Sequence, residues 1–482
     1  MYTMTPQIPT FTDQYTNARV ECTARRRRLL EGSWGEDLEL FLQTQIPIDR
    51  RGTWGSLDMS SNIFKSGCKA LSVLYSTTPS VGVERQKAQA ARPYIGPHGV
   101  LDNSHYFEMM STIQMFTIGL REMLVRIDIS DDNAVMFRPV TPDMVFASAP
   151  AGNPTKANYL YEYRLRRNDS TGEEFWTADI FDLRDKNNPR FEVRKVEADG
   201  KFSDDVTNIF LGGDRSGNNY PYRDGQGVPF IPWVFYHAAI TGKLFSPYEL
   251  SEVVQGSFVA STYYTYLKHL MFDASYPQRY TTMQLAGLSA VDIGTKAARL
   301  SVPTDPASIL CFAPDPDISS QPIIGQFAAG MDDPLSMISA ITTYERRLAA
   351  QMGIDPASVQ KVSSDPRSGY SIAMSMDAMR SAQKKYEPTQ RVADIEAISM
   401  GAMVSNAILG TSYPTDGYVI SYESIPLTKG ERKAQIENTL ALMAKGLLGP
   451  VDAMMDLYPE ISTEEQAMEK LRQIKQQKIE FA

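Results

Sequence analysis

The four histidines, His98, His105, His237 and His269, are the side chains best suited to metal ligation or general-base work. None stands at ligand spacing from another and no HExxH occurs, so no zinc site is expected. His237 falls in the apolar run VFYHA and reads as a hydrogen-bonded core histidine. Asp315 and Asp317, in APDPD, have the form of paired acids, but each adjoins a proline and shapes a turn. Gly242-Lys243 lacks the upstream glycine of a phosphate-cradling loop, and there is no GxSxG elbow. Cys22, Cys68 and Cys311 form no CxxC pair and read as buried or indifferent thiols of a reducing compartment. Arg25–Arg28, in TARRRRLLEGSW, reads either as a patch for nucleic acid or a partner, or as a solvated helix face paired with Glu21, Glu31 and Glu36. Four arginines favour the second. No catalytic constellation emerges; the chain is expected not to be an enzyme and to use no metal or cofactor.

Composition narrows the classes further. With 43% hydrophobic and 22% charged residues, the chain is globular, and 482 residues allow two to four domains. A net charge of −9 argues against a protein that grips nucleic acid tightly, which needs a basic balance. The N-terminus, MYTMTPQIPTFTD, is polar and has no signal-peptide character. No apolar run approaches the roughly 20 residues of a membrane span. Many of the 23 methionines fall on helical faces, where Met fills irregular packing.

The elements that must position any function are long helices. Asp333-Pro334 is a start signal: a carboxylate N-cap, then proline at the first helical position. Met337, Ile341, Tyr344, Leu348 and Met352 share a face, and Gly353 with Asp355-Pro356 stops the helix. From 357 to 369 the chain is Ser-rich, carries Asp365-Pro366 and is nearly devoid of aliphatic residues. A longer helix is expected from Ser368, with Ile372, Met376, Met379 and Tyr386 on one face. Ile395, Ile398, Ala402 and Leu409 continue it to Gly410. Pro388 should kink it near Glu387, because it lacks an N–H and clashes one turn back. At about 1.5 Å per residue such a helix spans roughly 60 Å, more than a compact domain needs.

Earlier in the chain, Tyr15–Leu42 and Ser61–Leu74 read as helical and Asp49–Gly67 as loop-rich. Leu101–Leu124 places Phe107, Met110, Gln114 and Ile118 on one helical face. The period then changes. AVMFRPVTPDMVFASAP gives short β runs broken by Pro139 and Pro142. Tyr159, Tyr161, Tyr163 and Leu165 alternate as a strand, and FWTADIFDL and FEVRKV complete an antiparallel meander. Lys201–Gly227 reads as a surface loop and VPFIPWVFYHA as a buried strand. Ser246, Pro247 and Glu249 form a capping box opening a helix to about Ser275. Val259, Tyr263, Tyr266 and Leu270 share one of its faces, and its many Ser, Thr and Tyr suit contact with identical neighbours. Tyr276–Gly330 is a Pro- and Gly-punctuated excursion with a short helix at Ala290–Leu300 and a strand in SILCFAP. Tyr413–Pro426 is a closing β-type segment. Three short helices end the chain, with capping boxes Thr428…Glu431 and Ser462…Glu465 and a break at Gly449-Pro450.

This order of parts resembles the portal proteins of tailed bacteriophages, the head-to-tail connectors. The resemblance covers most of the chain from about Gly119 onward. It rests on VPFIPWV leading into SPYELSEVVQGSFVASTYYTYLKHLMFDAS, the punctuated excursion, a second stem-length helix and the polar DPASVQKVSSDPRSG. The small-residue opening SGYSIAMS and the segment RPVTPDMVFASAP add to it. It implies an α+β, mainly helical subunit of a dodecameric ring around a channel for double-stranded DNA. In that scheme 1–245 is an N-terminal α/β wing region, 246–275 the first stem helix, 276–330 the clip and 331–353 the second stem helix. The tunnel loop is 354–369, the long kinked wing helix with its closing β segment 370–427, and a short helical crown 428–482. The long C-terminal barrel of some members is missing. Gln360, Lys361, Ser364 and Arg367 would line the channel; Val259, Tyr263, Tyr266, Leu270, Tyr344 and Leu348 would lie at the subunit interface.

The partners so implied are further copies of the chain, non-specifically bound DNA, the terminase large subunit, capsid protein and scaffold, and head-tail adaptor or neck proteins, with no membrane. The place implied is one vertex of a virion assembled in the host cytoplasm. Two other readings stand beside this one. An adaptor ring or scaffold would never enclose DNA. An enzyme with an unfamiliar site would show a deep pocket holding coupled titratable groups.

Overall fold

The computed structural model describes residues 9–11, 14–45, 57–83, 92–93, 99–101, 104–167, 172, 174–246, 250–275, 278–281, 309–311, 324–327, 332–354, 369–425, 429–458, 461 and 463–480. The fold is α+β and mainly helical. Its helices are α1 (Gln14–Glu31), α2 (Gly35–Gln45), α3 (Ile63–Leu71), α4 (Tyr106–Leu120), α5 (Thr207–Leu211), α6 (Ser251–Ser275), α7 (Asp332–Gln351), α8 (Gly369–Leu409), α9 (Lys429–Ala444), α10 (Pro450–Leu457) and α11 (Glu464–Glu480). The strands are β1 (Ser80–Val83), β2 (Arg92–Pro93), β3 (Glu122–Ile129), β4 (Val135–Val140), β5 (Val145–Ser148), β6 (Tyr159–Arg167), β7 (Glu174–Asp182), β8 (Arg190–Val196), β9 (Phe202–Asp205), β10 (Trp233–His237), β11 (Gln278–Thr281), β12 (Ile309–Cys311), β13 (Ile324–Phe327) and β14 (Tyr418–Ser421).

One sheet, in the order β10-β3-β4, forms the floor on which α4 and α8 pack. The helix expected over Leu101–Leu124 ends at Leu120, where Arg121 takes a φ of 74° and turns the chain into β3. Residues Glu122–Ile127 are all buried, so β3 shows no period of two, and its apolar run is continuous in sequence with the helix. Pro139 does not break β4. It pairs with Val125 on the sheet's edge strand, where a missing N–H goes unused.

The meander is present as a five-stranded antiparallel sheet in the order β5-β6-β7-β8-β9. Its last strand and α5 lie in what reads as the loop Lys201–Gly227. Both are too short to show a period. Arg126 joins the two sheets: its guanidinium reaches Glu162 at 3.1 Å and Asp179 at 2.6 Å, while Arg138 and Arg166 bind the same two acids. Burial alone would raise the Asp179 carboxyl. Arg126 and Arg166 outweigh it and hold that group below its usual range.

The closing segment pairs as β14 with β1, in register from Ser80 opposite Ser421 to Val83 opposite Tyr418. The first helical stretch is cut into α1 and α2 at Gly32, whose φ of 93° a side chain disfavours. α8 continues through Pro388 as one helix and stops at Gly410, φ 67°. Contrary to expectation, Met376–Leu409 is long and apolar enough, by length and composition alone, to cross a membrane. Half of its apolar window is buried against the rest of this chain. At the C-terminus, Gly449 and Pro450 open α10 as expected. The hydroxyl that caps α11 belongs to Thr463, which accepts the Gln466 N–H at 3.3 Å. Ser462, Thr428, Pro247, Glu249, the side chain of Ile372 and Ala290–Leu300 lie outside the described residues.

Candidate assembly and channel surface

α6 and α7 run antiparallel as a pair. Gln351 Nε2 donates to Glu252 Oε2 at 3.2 Å, Gly256 faces Leu348, and the Tyr263 and Tyr344 rings meet edge to face at 6.2 Å. Gly256 sets how closely the helices approach: a Cβ there would stand 2.5 Å from Leu348 Cδ2. α7 ends in a Schellman turn, as Gly353 and Asp355 imply. The Ile354 N–H donates to Ala349 O at 3.1 Å and the Gly353 N–H to Ala350 O at 3.0 Å, with Gly353 at φ 74°. The chain between the two helices carries β11, β12 and β13, which form a small sheet of their own. The strand expected in SILCFAP is β12.

The near end of the pair is sunk in the body. Phe258 contacts the rings of Trp34 and Phe41, each at 5.7 Å between centroids. Ser257, Ser261 and Thr265 form a row at every fourth residue of α6. Ser257 Oγ accepts the Phe64 N–H at 3.1 Å, Ser261 Oγ donates to Ser61 O at 2.9 Å, and Thr265 Oγ1 accepts the Asp58 N–H at 3.0 Å. The small polar face therefore docks α3 and the segment before it, not an identical neighbour. Its hydroxyls satisfy backbone groups that burial would otherwise leave unpaired. Glu345 of α7 accepts the Ser61 hydroxyl on the same side.

Toward the small sheet the cover ends. Met271 is 50% and Leu335 67% exposed, and Ile338 and Tyr263 are open as well. Of the six residues expected at a subunit interface, Leu348 is buried inside this chain. Val259, Tyr266 and Tyr344 pack in part on this chain's own core, Leu270 is half-buried, and Tyr263 is exposed. A helix held by α2, α3 and α7 at once buries most of its circumference, so one apolar stripe straddles inside and outside. Gln360, Lys361, Ser364 and Arg367 lie outside the described residues, as does the rest of 355–368.

Ser246 does not cap α6. Its N–H donates to the Glu122 carboxylate, and the helix begins at Ser251 after Leu250 takes a φ of 62°. Burial pushes Glu122 up to about 7, against the Ser246 hydrogen bonds, Arg19 and Arg121. Arg26 braces the same helix start, reaching Gly119 O at 3.0 Å and Ser251 Oγ at 3.3 Å. The other arginines of the run are also engaged. Arg27 pairs with Asp143 and Glu31, Arg28 binds Asp37 through two bonds, and Arg25 lies over the Phe258 ring. Solvation is thus replaced by tertiary pairing, with Asp143 and Asp37 in place of Glu21 and Glu36.

α8 is anchored through Asp394, fully buried, which accepts four tyrosine hydroxyls. Tyr106 and Tyr236 donate to Oδ1 at 2.7 and 3.0 Å; Tyr75 and Tyr422 donate to Oδ2 at 2.7 and 2.5 Å. The donors come from α4, β10, the segment after α3 and the segment after β14, so one carboxylate ties four parts of the chain to the long helix. Burial raises Asp394 above the usual carboxylate range, and the four hydroxyls oppose that rise. Sequence reading passed over this residue. Its signal was an acid in the row at every fourth position, Tyr386, Gln390, Asp394 and Ile398, which continues the face that carries Ile372, Met376 and Met379.

A cavity of about 680 Å³ lies between α8 and β10. His237 lines it, and its Nδ1 is buried with no hydrogen-bond partner among the described residues, contrary to the satisfied core histidine expected from VFYHA. Tertiary folding left it on the sheet's open edge. Burial lowers His237 and raises Glu396, with Lys156 easing the latter. No hydrogen bond joins these two groups to each other.

Cys68 is buried, its thiol pushed up to about 12 by burial, and Cys22 is exposed. No family model matches the chain, and no curated protein matches it in sequence. Among solved structures, it is similar to a chain from the virion of a native gene transfer agent particle. The similarity spans 87% of this chain and 98% of that one, at 10% identity and a TM-score of 0.39. A likeness of that degree assigns no function.

Proposed function

We propose that this chain is a virion structural protein, the subunit of a portal ring of a tailed bacteriophage. The observation that carries this reading is the α6–α7 pair. One end is fixed in the chain's own core; the other bears a small sheet and exposed Met271, Leu335 and Ile338. A closed ring needs a head-to-tail contact between unlike faces of identical subunits, and an apolar flank along a helix pair suits that contact. In this reading α6 and α7 are the stem, the small sheet is the clip that docks the terminase large subunit and later neck proteins, and α8 spans the wing. In the same reading Asp355–Gly369 is the loop toward DNA, with Lys361 and Arg367 as its lumen-facing cations. A net charge of −9 per copy keeps the wall from gripping phosphates, each of which would add salt-sensitive affinity and hinder movement. The ring conducts double-stranded DNA during packaging and ejection and performs no catalysis; ATP hydrolysis belongs to the motor. Capsid protein and scaffold are its partners during assembly in the host cytoplasm.

Electron microscopy of the purified full-length chain tests the reading. A closed ring with an opening that admits a duplex is expected; a monomer, or a ring too narrow for DNA, would sink it. Shortening Asp355–Gly369 should leave the ring intact and impair packaging or retention of the genome. Normal packaging in that deletion would count against the placement of the loop.

A further inference from the structure

β10 is an end strand of its sheet. The Ile127 N–H donates to Pro232 O and the Ala238 N–H to Arg121 O, both at 2.9 Å. Antiparallel alternation then turns the N–H and C=O of Val234 and Tyr236 toward β3, and those of Phe235 and His237 away from it. On that outer side neither residue has a backbone partner among the described residues. Within Trp233–His237 there is no proline, no lysine and no bulge, three devices that keep a bare strand from pairing.

The bare edge opens into the 680 Å³ cavity, whose opposite wall is the apolar face of α8 at Val392, Ala393, Met400 and Met403. Two ring nitrogens on the strand side lack partners among the described residues. Trp233 is 4% exposed, lines the cavity and leaves its indole N–H unpaired; the buried Nδ1 of His237 is unpaired likewise. Buried polar atoms without partners are rare in folded chains, and both of these belong to side chains that line the cavity. The exposed Lys156, Lys186 and Lys243 stand around the mouth. Asp224, the other acid there beside Glu396, is occupied by the N–H groups of Gln226 and Val228.

We infer that this edge and cavity bind an extended segment of another protein, which adds a strand to β10. The segment places an apolar side chain against α8 and carries acidic residues that meet the three lysines. Strand addition supplies backbone hydrogen bonds, and the cavity supplies selectivity for the inserted side chain. This holds independently of whether the chain forms a ring around DNA.

The test is selection of a random-peptide library on the immobilised full-length chain. Binding of the selected peptides is then measured by fluorescence anisotropy, with amide hydrogen exchange on the complex. The expected peptides alternate apolar and acidic residues. Their affinity should fall about tenfold or more, roughly 1.4 kcal/mol, in Met403→Trp, which fills the cavity. It should fall as much in the triple variant K156E/K186E/K243E, which changes only exposed side chains and so leaves the fold in place. The Phe235 and His237 amides should exchange more slowly with peptide bound. Failure of any peptide to enrich, binding to either variant as tight as to the unaltered chain, or binding without protection of those amides would each overturn the inference. Protection that rises with protein concentration in the absence of peptide would assign the edge to a second copy of this chain and overturn the separate partner.

Discussion

Replacing Gly256 with alanine probes the closest approach of α6 and α7. Alanine is favoured over glycine in a helix interior by about 1 kcal/mol. The new Cβ, however, would meet Leu348 Cδ2 at 2.5 Å and Cδ1 at 2.7 Å. Leu348 is 3% exposed and has little room to swing away, so overpacking costs about 2 kcal/mol. The net loss for Gly256→Ala is then about 1 kcal/mol. Leu348→Ala removes buried methyl groups and leaves a void, a loss of about 3 kcal/mol. Independent effects would sum to about 4 kcal/mol. In the double variant, though, the atoms that the Cβ would strike are gone. The helix gain is kept, and the Cβ fills part of the void, giving a loss of about 2 kcal/mol and a coupling of about 2 kcal/mol. Urea unfolding followed by circular dichroism, at one protein concentration, measures all four corners of the cycle. Additivity within about 0.5 kcal/mol would refute a crossing set by Gly256 against Leu348.

Three further outcomes are expected. Asp394→Asn sets an amide against two of the four tyrosine donors. Lost charge-assisted bonds outweigh the relief of burying a charge, and stability should drop by about 2 kcal/mol in thermal or urea unfolding; an unchanged midpoint would deny the carboxylate its anchoring role. Glu122 titrates at about 7 when folded and near its ordinary 4.5 when unfolded, so between those values the folded state holds the extra proton. Stability should therefore fall by about 3 kcal/mol as pH rises from 4.5 to 7, and Glu122→Gln should flatten that slope; a slope retained in the variant would locate the proton elsewhere. Arg126→Ala leaves Asp179 buried beside Arg166 alone and should cost about 3 kcal/mol, visible as a lowered urea midpoint; a loss under about 1 kcal/mol would mean that the two sheets are not joined through this ion network.

Much of the architecture was legible from periodicity and punctuation. The Gly signal after α7 matches its observed C-terminal turn, and α8 ends at Gly410 as its pattern implies; α7 itself begins at Asp332, so Asp333 lies inside the helix and not at its N-cap. The meander was visible because Tyr159, Tyr161, Tyr163 and Leu165 alternate in sequence, although four consecutive residues of β6 are buried. β3 was not, because both of its faces are covered and a fully buried strand carries no alternation. Among the proposed site residues, Tyr263 lies on an open face and Leu348 inside the chain, though both share the helical spacing that selected them.

What the amino-acid sequence determined by itself was local: where helices start and stop, which stretches favour strands, and the absence of motifs with known spacing. These follow from φ preferences, missing N–H groups and the period of apolar residues, all of which act within a few positions. Tertiary structure alone decided which partners the polar groups found. Asp394 gathers hydroxyls from Tyr75 to Tyr422, Arg27 reaches Asp143, and Ser257, Ser261 and Thr265 serve a neighbouring helix of the same chain. It also decided that the edge of β10 has no strand partner among the described residues. A buried polar group must find a partner wherever the fold brings one, and that distance through space is not written in the spacing along the chain.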